Sequence, residues 1–152
     1  MNVLVDTSVW SLAFRRQTRN LSADEQSVVT ELADLTREGR ARIIGLIRQE
    51  LLSGIRAPGQ YEKLRAALRS FPDEPVGTAD HEAAAVASNA CRAKGIAAPV
   101  VDVLICQVAL TRQWDIFTTD PDFRNYARAL PIKLHAPRAA SAIDDGRLSI
   151  DD

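Results

Sequence analysis

Apolar positions along the chain follow two alternating rhythms. Short, nearly continuous apolar runs give way to longer stretches whose apolar residues recur three and four apart, and the pattern then reverses. Residues 2–5 read as a strand that stops abruptly at Asp6, and SVWSLAFRR as a short helix after it. Ser22 and Glu25 stand in capping-box spacing, and the helix they start runs to Gly39. RARIIG predicts a second strand, LIRQELLSG a helix closed by Gly54, and YEKLRAALRSF a helix ended by Pro72. DEPVG predicts a short third strand, and ADHEAAAVASNACRAKG an Ala-rich helix ending at Gly95. After Pro99, VVDVLICQVALTRQ predicts a helix that is apolar on nearly every side, as a buried helix is. DIFTT predicts a strand, DPDFRNYARAL a short helix and IKLHA a last strand.

This alternation predicts a three-layer α/β fold, with a central, mostly parallel sheet of four to five strands flanked by helices. One domain is expected over residues 1–136, followed by an acidic tail, 137–152, that is held loosely.

Composition narrows the function classes. With 152 residues, 46% hydrophobic and 26% charged, the chain can bury a core of its own. No apolar run approaches the ~18 residues of a membrane span, and the start lacks the basic-then-apolar form of a secretory leader. A cytoplasmic protein with no membrane partner is expected. Cys91 and Cys106 form neither a CxxC pair nor, with His81 and His135, a zinc set, so reduced, buried thiols are expected. The net charge of −1 does not advertise a polyanion binder. Its distribution says more: Asp144, Asp145, Asp151 and Asp152 crowd the tail, while Arg15, Arg16 and Arg19 cluster early and Arg48, Arg56 and Arg65 follow. Arg15, Arg16, Arg48 and Arg65 are candidate phosphate contacts, with solvated helix faces the equally good alternative.

The candidate chemistry lies in the acids. Open parallel sheets gather function beyond the C-terminal ends of their strands, where Asp6, Asp120 and Asp122 all fall. Each alone also suits a helix cap or turn. Glu50 shares a helical arc with Leu46, Ile47 and Leu51, which predicts a carboxylate on the protein-facing side, in need of a partner. Asp102 opens an apolar helix, where the helix dipole offers an exposed acid only ~0.3–1 kcal/mol. Convergence of the four acids at one sheet edge explains them together. Their repulsion is relieved by Mg²⁺ or Mn²⁺, which prefer oxygen ligands and can drive phosphodiester hydrolysis. The hydroxyls of Thr7, Ser8 and Thr119 are placed to orient a ligand or water.

In their order and intervals, DTSVW, RQELLSG, GIAAPVVDVLI and TTDPDF resemble the PIN-domain ribonucleases, and among them the VapC toxins, from Met1 to about Ala136. The resemblance implies that Asp6, Glu50, Asp102 and Asp120 are the acids that bind one or two Mg²⁺ or Mn²⁺ ions, with Asp122 acting through water. It also implies an endoribonuclease acting on structured RNA such as tRNA or rRNA. The implied assembly is a homodimer neutralised by a VapB-type antitoxin, forming a heterotetramer or larger complex. An apolar surface around Trp10, Leu12, Phe14, Leu51, Leu52 and Ile55 is expected to receive an amphipathic antitoxin helix, the alternative being that these are core residues. Two rival readings use the same residues. One is a non-catalytic metal- or partner-binding module. The other is a phosphatase with an aspartyl nucleophile, which usually wants a second Asp where this chain has Ser8.

Overall fold

The computed structural model describes residues 1–14 and 20–138. Arg15, Arg16, Arg19 and the acidic residues of the tail therefore lie outside the described residues. The elements run β1 (Val3–Val5), α1 (Thr7–Phe14), α2 (Ala23–Arg37), β2 (Ala41–Arg42), α3 (Gly45–Leu52), α4 (Pro58–Leu68), α5 (Thr78–Ala93), α6 (Val100–Arg112), β3 (Asp115–Phe117) and α7 (Asp122–Tyr126).

The described strands form a parallel sheet in the order β2-β1-β3. All of β1 is buried, as a central parallel strand must be. Isolated bridges extend the sheet on both sides, Ile43 with Asp73 and Ile116 with Leu134. They fall in the two segments predicted as the remaining strands. The first stops after the Glu74 amide reaches the Ile43 carbonyl, because Pro75 has no N–H to continue the ladder. Helix α6 packs on β1 and β3, α5 packs on α6, and α1 lies against α2 and α3. Trp10 is fully buried, donates its indole N–H to the Val5 carbonyl at 2.9 Å and meets Phe71 edge-on. Cys91 and Cys106 are free and buried, as expected.

Local signals place the helix ends. The capping box is formed: the Glu25 amide donates to Ser22 Oγ at 3.1 Å, and the Ser22 amide to Glu25 Oε1 at 3.0 Å. Ser22→Ala removes one of these bonds, so a loss of about 1 kcal/mol is expected, or roughly 2–4 °C in a thermal melt. Helix α4 starts at Pro58 rather than Tyr61, since proline suits a first helical position where no N–H is needed.

One buried carboxylate was not anticipated. Glu31 of α2 has no exposure and is bonded by His135 Nε2 at 2.6 Å and by the Arg138 amide and Nε at 3.0 Å. Arg138 also reaches Glu38 at 3.0 Å, so the first residues assigned to the tail are tied to α2.

Candidate active site

Strand order 2-1-3 puts a topological switch point between β1 and β3, where the chain leaves β1 in opposite directions on its two sides. Asp6 sits at the end of β1, and its amide donates to the Phe117 carbonyl at 2.9 Å. Its carbonyl accepts from Val9 and Trp10, so Asp6 also starts α1. Capping and placement in an acidic cluster are thus combined in one residue. With 6% of its surface exposed, Asp6 Oδ2 accepts from Ser8 Oγ at 2.9 Å and Thr118 Oγ1 at 2.8 Å. Burial pushes its carboxyl above the usual carboxylate range, and the Thr118 and Ser8 hydroxyls pull the other way.

The other acids close on the same crevice. Asp102, in the first turn of α6, accepts from the Tyr126 hydroxyl at 2.6 Å. Its carboxyl is raised by burial and by the charges of Asp6, Asp120 and Glu50, against the pull of the tyrosine bond. Asp102 thus feels the charge of each of the other three acids. Asp120 takes the Asp122 amide on Oδ1 at 2.9 Å, which turns the chain into α7. Asp122 itself is exposed. Glu50 accepts from Thr7 Oγ1 at 2.7 Å.

Several expectations change here. Glu50 is exposed rather than turned into the protein, because α3 buries only Ile47 and Leu51. Glu50 lies about 60° and 100° around the helix from them. Arg48 is committed to the protein rather than free for phosphate. Its guanidinium bonds Asp73 Oδ1 at 2.9 Å, the Leu68 carbonyl at 3.0 Å and the Phe71 carbonyl, closing α3 onto the end of α4. Arg65 is paired with Glu62 one turn earlier at 2.8 Å. Among the described residues the Thr119 side chain makes no hydrogen bond, and only its amide contributes, donating to Ser8 Oγ at 3.0 Å. The working hydroxyl is Thr118, which bonds Asp6 and accepts the Asp120 amide at 3.0 Å. The sheet register explains the choice: Val5 faces Phe117, so the next residues, Asp6 and Thr118, lie side by side. Tyr126 was also missed, since nothing in the sequence ties it to an aspartate 24 positions away. Its phenol is pushed well above its ordinary value, by burial first, and so remains a proton donor to Asp102.

The donor set suits a hard divalent cation. Among the described residues no Lys, Arg or His forms an ion pair with Asp6, Glu50, Asp102, Asp120 or Asp122. Among the described residues, side-chain donors reach only one oxygen of Asp6, Glu50 and Asp102, and Asp120 takes the Asp122 amide on one oxygen. Among the described residues no three His, Cys, Asp or Glu side chains form a group able to hold an ion as they stand. Such a cage is not required, because Mg²⁺ keeps several waters and binds through one or two carboxylates.

The PIN domain family matches residues 3–129, most of the chain. The chain belongs to the PIN domain family. PIN domains are in general nucleases. Two solved structures share the fold. FitAcB from Neisseria gonorrhoeae aligns at a TM-score of 0.70 and 18% identity, covering 89% of this chain and 97% of that one. VapBC2 from Rickettsia felis, bound to a DNA fragment from their promoter, aligns at 0.68 and 15%, covering 89% and 98%. No curated protein matches. No helix of this PIN domain, among the described residues, is long and apolar enough to cross a membrane.

Proposed function

We propose that this PIN domain is an Mg²⁺- or Mn²⁺-dependent endoribonuclease that hydrolyses phosphodiester bonds in structured RNA, as the toxin of a VapBC-type pair in the cytoplasm. The observation that carries the reading is Asp102, its carboxyl raised by burial and by the charges of Asp6, Asp120 and Glu50, with none of the four acids paired to a cation among the described residues. Asp6, Glu50, Asp102 and Asp120 would hold the metal, with Asp122 linked through water. When bound, the ion supplies charge neutralisation and an activated water. The protein supplies orientation. Thr118 and Ser8 lock Asp6, Thr7 holds Glu50, and Tyr126 fixes Asp102, so little reorganisation is needed when substrate arrives.

The toxin role rests on the fold shared with the VapBC2 and FitAcB chains. It brings with it a cognate VapB-type antitoxin, a homodimer, and a heterotetramer or larger complex. Of the apolar residues expected to receive the antitoxin, Trp10, Leu12 and Leu51 are buried in the core and Leu52 and Ile55 are half-buried, which leaves Phe14 as the exposed one, at 39%.

The test is digestion of total cellular RNA by purified protein with Mg²⁺ or Mn²⁺ and with EDTA, mapping new 5′ ends. Cuts at a few sites that vanish in EDTA are expected, and folded, metal-loaded protein that cuts nothing would sink the nuclease. Tyr126→Phe keeps the ring in the core and removes only the donor to Asp102. Cleavage about 10-fold slower is expected, with a melting temperature within a few degrees of wild type. An unchanged rate would show that Asp102 needs no such support.

A further inference from the structure

Asp122, two residues from Asp120, lines a cleft of about 650 Å³, the size range of ligand sites, that contains none of the four acids. One wall is Arg92 and Ser88 of α5, the floor is the 95–99 loop, and Asp122 closes the far side. The loop exists because α5 ends there. Gly95 takes φ +73°, its amide bonds the Arg92 carbonyl at 2.9 Å, and Ile96 bonds back to Cys91 at 2.9 Å. Arg92 therefore stands on the last turn, beside the loop that it faces.

Its chemistry differs from that of Arg48, Arg65 and Arg112. Arg48 is spent on α4, and Arg65 and Arg112 are paired with carboxylates. Exposed Arg92 has only the neutral Asn89 Oδ1, at 2.8 Å, and forms no ion pair among the described residues. On the floor, the amides of Ala97 and Ala98 make no intramolecular hydrogen bond among the described residues. A guanidinium without a carboxylate partner and a loop with two unbonded amides, among the described residues, line one side, and an acid next to the proposed metal-binding set lines the other. An acidic peptide suits the first side and is repelled by Asp122. A phosphodiester strand suits both, because it meets Arg92 directly and the acids through a cation.

We propose that this cleft binds the RNA nucleotide adjoining the scissile phosphate, with Arg92 on its backbone phosphate. The proposal rests on the nuclease reading. On an RNA that the wild type cleaves, Arg92→Ala is expected to raise KM roughly 5- to 10-fold with kcat within about 2-fold, as loss of one binding contact does. The slope of log(kcat/KM) against log[salt] becomes shallower by about 0.7, the value for one phosphate on a single strand. Arg92→Lys falls between, having charge without the fork. Arg69→Ala, an equal loss of charge outside the cleft, is the control. Equal KM and equal slope for Arg92→Ala and Arg69→Ala would overturn the subsite while leaving the nuclease standing. Where the wild type cleaves nothing, anisotropy of a labelled single-stranded RNA decides. Binding weakened by Arg92→Ala sustains the subsite without the nuclease, and no binding overturns both.

Discussion

Asp6→Asn is expected to abolish the proposed metal-dependent RNA cleavage, by about 10³-fold or more, and to yield a protein that melts no lower than wild type in EDTA at pH 7. The loss follows from removing one of the charges that would hold the ion in a crevice where electrostatic groups act at close range. Stability is kept because Asn has nearly the same shape, and the Ser8 and Thr118 hydroxyls can rotate to suit an amide. The wild-type carboxylate, by contrast, is buried, and its charge acts on Asp102, which the folded protein must tolerate without a cation.

The pH dependence has a definite sign. Asp6 has a folded-state pKa raised above 3.8, so the folded protein holds this proton more tightly than the unfolded chain does. Its contribution to stability is therefore present at low pH and lost as pH rises through the folded pKa. The melting temperatures of Asp6→Asn and wild type should coincide near pH 3 and separate above 3.8, the variant melting higher. Adding Mg²⁺ to wild type should close the gap, since it binds only the folded site. Scanning calorimetry from pH 3 to 8, with and without metal, checks both. A variant that is unfolded at every pH would show that Asp6 serves the start of α1 more than the chemistry.

Arg112→Met is expected to destabilise the protein by about 2–3 kcal/mol, or roughly 5–10 °C, with cleavage by the folded fraction unchanged. Arg112 ends α6 and bonds Asp80 Oδ1 at 2.6 Å, Glu74 Oε2 at 2.8 Å and the Pro75 carbonyl at 2.7 Å. It thereby ties the 73–77 segment and the start of α5 to the helix that carries Asp102. The loss should fall below the ~3–5 kcal/mol of a fully buried broken pair, because these side chains keep 13–25% of their exposure. The Arg112 guanidinium holds Asp80 well down, to about 2, so the stability from this pair is present above 3.8 and lost as pH falls through about 2. Arg112→Met should therefore cost least at the acid end of the range. A uniform loss across pH would point to the buried arginine stem rather than to its charge pairs.

The fold class was legible in the pattern of residues, and Asp102 stood out in it as a candidate. Alternating periods predict α/β because a strand and a helix must each bury a side of fixed repeat. An acid in the first turn of the apolar α6 marks Asp102, since an ionised group in that setting is costly without a purpose. The capping box of α2 was likewise legible, because its partners are three residues apart and need no tertiary contact. Tertiary structure alone decided the rest. Thr118 was chosen over Thr119 by the register of β3 against β1, and register joins residues more than a hundred positions apart. Tyr126 became the partner of Asp102, and Glu31 that of His135 and Arg138, only when α7 and the last residues folded back. Arg48 and Arg92 look alike in the sequence. One fell against the carbonyls of α4 and the other beside an open cleft, and local pattern carries no record of which neighbour a long side chain will meet.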